Sequence, residues 1–261
     1  MVITNNKEVM VLGGTLAADV PTKMCYILKN GQWIKHSVLP EFRIYSSAIT
    51  MPQGIYIFGG SRIPFPKPVV LEKASFWTSN FLPNGSTEWQ NGPKMPYPGN
   101  HCAHAVSISD DEILFTGGLG LNVSRVMKYQ ISSNKWSLSK LIKPRWHHSS
   151  AVYGDNVIIS GGTYYNPVPL DSTEIYSISN GTLRLGGNLN FARRGHGMGI
   201  INVNGESKLI AFGGRGFINN LLSVEEWNIE TESWTVSNLT LSEPRWSFAY
   251  CHNLKKKKLG T

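Results

Sequence analysis

The chain has 261 residues, with 26 Gly, 14 Pro, 3 Cys, 41% apolar residues and a formal net charge of +8. That length holds one or two ordinary domains and enough apolar material for a continuous core, and three widely spaced cysteines exclude a disulfide framework. No apolar run approaches the roughly 20 residues that span a bilayer, and MVITNNKEVM lacks the basic start and apolar centre of a leader peptide, so a cytoplasmic protein without membrane contact is expected.

The chain begins abruptly. Residues 8–12 read as a strand, and their run VMVL meets Gly13-Gly14. Residues 24–28 and 33–36 read as two more, with only residues 1–4 ahead of the first. Four fuller units follow, at about residues 41–91, 98–139, 144–185 and 192–237. In each, a mainly apolar four-residue run meets a glycine pair: IYIF at Gly59-Gly60, ILFT at Gly117-Gly118, VIIS at Gly161-Gly162 and LIAF at Gly213-Gly214. Residues 144–162 show the pattern most fully: two short, partly β-branched strands joined by Gly154-Asp155-Asn156, as in a hairpin. Paired glycines permit positive φ and a close approach of neighbouring backbone.

Two further signals keep phase. An aromatic is followed seven residues later by a second landmark: Tyr26 and Trp33, Tyr129 and Trp136, Tyr176 and Leu183, Trp227 and Trp234. Trp77 and Trp89 stand further apart, with residues 82–86 as the insertion between them. Each such pair suits a hairpin with both side chains in the core, so Trp33, Trp89, Trp136 and Trp234 are expected to be structural. Arg43, Arg145 and Arg193 open the strand ahead of a glycine pair, and Asn100 or His101 takes that place in the unit at 98–139. Arg245 opens a last strand, at 243–250, that no glycine pair follows. His104, His148 and His196 share one position just inside the opening.

Units of four short strands repeating at 44 to 58 residues are the signature of a kelch β-propeller, and the chain resembles the kelch-repeat family over essentially its whole length. The resemblance implies an all-β propeller as a single domain over residues 1–254, with a basic, disordered tail at 255–261. Five blades closed by residues 244–251 pairing with residues 8–12 are expected, which protects the terminal sheet edges. The alternative is a truncated six-bladed propeller, with Val2-Ile3 filling part of the first strand.

No catalytic or metal-binding motif is present, and the glycine pairs lead to no helix, so they are not phosphate loops. Adjacent His147 and His148 point to opposite faces of a strand and cannot share one metal. No cofactor is expected. The Lys255–Lys258 run supplies four of the positive charges and lacks interleaved aromatics, so no nucleic-acid partner is expected. The resemblance implies a recognition face around the channel. Arg43, Arg145, Arg193 and Arg245 would approach it, with Arg62, Tyr164, Tyr165 and Arg215 in the loops after the glycine pairs. Arg and Tyr dominate binding hot spots, and such a set suits another protein, an acidic peptide in particular. The expected function is a non-enzymatic interaction propeller, similar to the substrate-recognition half of BTB-kelch ubiquitin-ligase adaptors or to cytoskeletal kelch modules. The alternative is a sugar-acting enzyme on the same scaffold, mutarotase-like or galactose-oxidase-like.

Overall fold

The computed structural model describes residues 1–16, 20–62, 75–81, 87–97, 101–119, 124–164 and 166–247. Among these, five four-stranded antiparallel sheets follow one another along the chain. The first contains β1 (Val2–Ile3), β2 (Val9–Leu12), β3 (Met24–Lys29) and β4 (Gln32–Val38). The second contains β5 (Ser47–Met51), β6 (Gly54–Phe58), β7 (Ser75–Phe81) and β8 (Thr87–Lys94). The third contains β9 (His104–Ser107), β10 (Glu112–Thr116), β11 (Arg125–Gln130) and β12 (Lys135–Lys140). In the fourth, β13 (Ser149–Tyr153) and β14 (Asn156–Ser160) are followed by a two-stranded ribbon, β15 (Thr163–Tyr164) with β16 (Asn166–Pro169), before β17 (Thr173–Ser177) and β18 (Leu183–Gly186). The fifth contains β19 (Gly197–Val203), β20 (Glu206–Phe212), β21 (Ser223–Asn228) and β22 (Ser233–Thr240). The molecule is an all-β propeller, and each sheet is a blade.

Alternation along each strand supplies both faces of a blade, because successive side chains point to opposite sides. In the second blade Ile55 and Ile57 enter the core shared with the first blade, together with Met10, Cys25 and Ile27. Tyr56 and Phe58 enter the core shared with the third, against Phe115 and Tyr129. Two further cores join the third blade to the fourth and the fourth to the fifth.

The glycine pairs sit where consecutive blades meet. Gly161 and Gly162 have φ of 61° and 92°. A Cβ on Gly162 would lie 2.8 Å from the Trp146 carbonyl and 2.9 Å from His148 Cβ, so glycine serves both backbone freedom and close approach. The second glycine of a pair donates its N–H to the carbonyl of the next opening arginine: Gly14 to Arg43, Gly118 to Arg145, Gly162 to Arg193 and Gly214 to Arg245, at 2.7–3.0 Å.

Three expectations are corrected. Val2 and Ile3, rather than residues 244–247, take the closing edge of β2, opposite Met10 and Val9. The apolar Val2 is buried in the core between the first two blades, which favours this local hairpin over a distant strand. Residues 244–247 instead dock beside the fifth blade, and residues 248–251 lie outside the described residues. Second, His104 does not share the position of His148 and His196. Cys102 N donates to Tyr45 O and His147 N to Cys102 O, so Cys102 aligns with His147. Ala103 therefore aligns with His148, and the arginine's place falls on residue 100, outside the described residues.

Third, the aromatic pairs behave as expected in three blades and differently in the first. Tyr129 lies opposite Trp136, Tyr176 opposite Leu183 and Trp227 opposite Trp234. The tight Asn30-Gly31 turn instead sets Trp33 opposite Leu28. Each later landmark packs towards the preceding blade: Trp89 Nε1 donates to Ser37 Oγ and Trp234 Nε1 to Thr173 Oγ1, both at 2.9 Å. Among the described residues no blade precedes the first, and Trp33 is 49% exposed. Trp33→Ala is therefore expected to cost about 1 kcal/mol or less. Urea denaturation beside Trp136→Ala checks this, and an equal loss for the two would contradict it.

Candidate functional site

A local geometry repeats where the successive sheets begin. The residue two after each opening position, Tyr45, Cys102, His147, Gly195 or Ser247, has φ between 52° and 58°. Their backbones form a chain of hydrogen bonds running from Tyr45 to Ser247: Cys102 N to Tyr45 O, His147 N to Cys102 O, Gly195 N to His147 O and Ser247 N to Gly195 O, at 2.7–3.2 Å. The residue before each pairs with the one just after a glycine pair, giving Ile44 with Ser61, His101 with Leu119, Trp146 with Thr163 and Arg194 with Arg215. This rim presents the loops predicted to recognise a partner.

The structure separates the predicted arginines into two groups. Arg145 and Arg193 are fully buried, and Arg43 nearly so. Arg145 Nη1 donates to the carbonyls of Gly161 and Ser172, and Nη2 meets Glu174 Oε1 at 2.7 Å. Glu174 also accepts the backbone N–H groups of Ile142 and Lys143, the segment that leads into the fourth blade. Arg193, Ser223 and Glu225 repeat the arrangement in the fifth blade, where Nη1 reaches Gly213 O and Nη2 meets Glu225 Oε1 at 2.6 Å. Arg43 Nη1 donates to Gly59 O at 2.6 Å. These three side chains bolt their own blades together and offer nothing to a partner. Burial lowers the pKa of Arg145 and Arg193, and the adjoining carboxylates oppose it. Sequence reasoning missed Glu174 and Glu225, although Ser-x-Glu stands ahead of the aromatic in both of these units.

The other predicted residues differ in availability. Arg62 is exposed but bound to Glu41 at 2.8 Å. Arg245 is exposed and meets Glu243 at 3.0 Å. Tyr164 is 40% exposed on the ribbon, and Tyr165 lies outside the described residues. Arg215 is brought against Arg194 and Trp246, neither of which was singled out. Arg194 and Arg215 lie 5.6 and 5.7 Å from the Trp246 ring centroid. Their signal in the sequence is position: each of Arg194 and Trp246 directly follows an opening arginine.

Histidines stand at the junctions between consecutive sheets. His148 Nε2 lies 2.8 Å from Thr116 Oγ1, and His196 Nε2 lies 3.1 Å from Ser160 Oγ, each reaching the preceding blade. Cys102 Sγ approaches His147 Nε2 at 3.5 Å. Burial pushes the Cys102 thiol up and holds His147 down at about 4, so near neutral pH they form a neutral thiol and imidazole rather than a nucleophilic ion pair. Among the described residues no group of three or more His, Cys, Asp or Glu side chains could hold a metal. Among the described residues no helix is long and apolar enough to cross a membrane.

No family model matches the chain. It is 27% identical over 159 residues to an F-box/kelch-repeat protein of Arabidopsis thaliana, covering 58% of this chain and 36% of that protein. It is 25% identical over 182 residues to beta-scruin of Limulus polyphemus, covering 63% of this chain and 19% of that protein. It is 25% identical over 176 residues to kelch repeat protein C2 of vaccinia virus, covering 65% of this chain and 32% of that protein. The matched region thus spans about a third or less of each of these relatives.

Proposed function

We propose, from the premise that the chain is a kelch-repeat β-propeller, that it is a non-enzymatic binding platform that recognises another protein through the rim after its glycine pairs. The observation that carries this is the rim itself: Tyr164, Arg215 and Trp246 stand partly or largely exposed there, beside loop residues Phe217 and Ile218 at 71% and 83% exposure. Aromatic and arginine side chains on a rigid scaffold are the usual anchors of an interface. Arg62 and Arg245 are secondary contributors in this reading, because each must exchange its glutamate for the partner. A role as the recognition half of a ubiquitin-ligase adaptor draws support from the F-box/kelch relative, and a cytoskeletal role remains the competing form of the same platform.

Tyr164→Ala combined with Arg215→Ala is expected to leave the melting temperature unchanged, because both positions are at least partly solvated. Truncating such anchors commonly costs about 2 kcal/mol of binding, roughly thirty-fold. Affinity capture from native lysate by the parent chain, Tyr164→Ala alone and the double variant tests this. Undiminished capture by the double variant places recognition elsewhere.

A further inference from the structure

We propose that Arg194, Arg215 and Trp246 form a subsite for an oxyanion on an extended partner peptide, with Phe217 and Ile218 receiving an apolar neighbour of that anion. The proposal rests on the protein-binding reading above and names the chemistry of the partner.

Arg194 and Arg215 face each other across a two-residue antiparallel bridge closed by Arg194 N to Arg215 O at 3.1 Å and Arg215 N to Arg194 O at 2.8 Å. The equivalent positions in the other blades hold Ile44 with Ser61, His101 with Leu119 and Trp146 with Thr163, so the fifth blade alone sets two arginines opposite each other. Like charges held directly across a bridge repel. Neither of the two has a carboxylate within 4.0 Å among the described residues. The other arginines each meet a carboxylate, apart from Arg125, which lies over Tyr97. Arg194 Nε is a buried donor with no partner among the described residues. Both guanidinium groups are drawn towards one indole, which is 39% exposed. Two forks beside one aromatic face match the paired oxygens of a carboxylate or a phosphoryl group. The loop between Arg215 and its second bridge partner, Asn220, carries Phe217 and Ile218, so the anion site adjoins an apolar tip. A confined pair of cations next to apolar side chains favours a peptide over a nucleic-acid strand, which needs a basic track with stacking aromatics.

The test uses the full chain and end-blocked peptides that carry glutamate, glutamine, phosphoserine or serine between leucines, with a single-stranded oligonucleotide alongside. The glutamate or phosphoserine peptide is expected to bind at least roughly tenfold more tightly than its neutral counterpart. Comparing those two tells a carboxylate from a phosphoryl source. Arg194→Ala and Arg215→Ala should each abolish that preference, Arg194→Lys should restore part of it, and Arg184→Ala, at an exposed arginine paired with Glu232, should leave it intact. The bridge is made by backbone, so melting temperatures should hold. The subsite is overturned if acidic and neutral peptides bind alike, if neither binds, if the alanine variants keep the preference, or if the oligonucleotide binds more tightly than any peptide. Partner capture that still depends on Tyr164 would, in each of those cases, leave the broader binding reading standing.

Discussion

Lowering the pH from 7 to 5 is expected to remove roughly a few kcal/mol of folding stability through the buried His148 and His196 and the partly buried His147. His148 and His196 are held well below the ordinary histidine pKa, first by burial and then by facing cations and imidazoles. For His148 these are His104, Arg145, His196 and His147, and for His196 they are Arg193, His104 and Arg145. His147 is lowered to about 4, by burial and then by Arg194 and His101. In the unfolded chain each titrates near 6.5. Above that value both states are neutral and the stability is fully present. As the pH falls, the unfolded chain takes up protons that the native state refuses. Stability therefore declines by up to about 1.4 kcal/mol per pH unit for each histidine until its folded-state pKa is reached. Urea denaturation at pH 7, 6 and 5 measures the loss. His147→Asn, a residue that tolerates the φ of 52° there, should remove His147's share of it. A stability that stays level down to pH 5 would contradict the assignment.

The second large effect lies at the blade bolts. Glu225→Ala is expected to cost about 3–5 kcal/mol, because it leaves Arg193 charged and buried with no counter-ion. It also strands the N–H groups of Asn190 and Phe191, which Glu225 accepts at 2.6 and 3.2 Å. Glu232, whose pair with Arg184 is 40% and 44% exposed, provides the comparison, and its removal should cost about 1 kcal/mol or less. Denaturant midpoints for the two alanine variants decide the matter. If Glu225→Ala loses no more than Glu232→Ala, the bolt carries no special share of the stability.

Much of the fold was legible in residue order. A strand's alternation is local, so runs such as VIIS, with Gly161-Gly162 behind them, mark both the strand and the place where the next blade approaches. The hairpin spacing of Tyr129 and Trp136 likewise follows from a short turn and a fixed register. These features depend on neighbours within a few residues, and the sequence by itself determined them.

The candidate site was far less legible. Arg145, Arg193 and Arg245 look alike in sequence, yet two are buried and one is exposed. Arg145 and Arg193 are each received by a glycine carbonyl and by the glutamate of a Ser-x-Glu segment 29 and 32 residues further on, whereas Arg245 meets Glu243. The meeting of Arg194 with Arg215 and Trp246 depends on a bridge between two loops and on how residues 244–247 dock. Trp33 carries the same signal as Trp234, but among the described residues no preceding blade covers it. In each case local pattern set what the residue could do, and only the tertiary structure decided what stands beside it, because burial and charge pairing depend on distant segments brought into register.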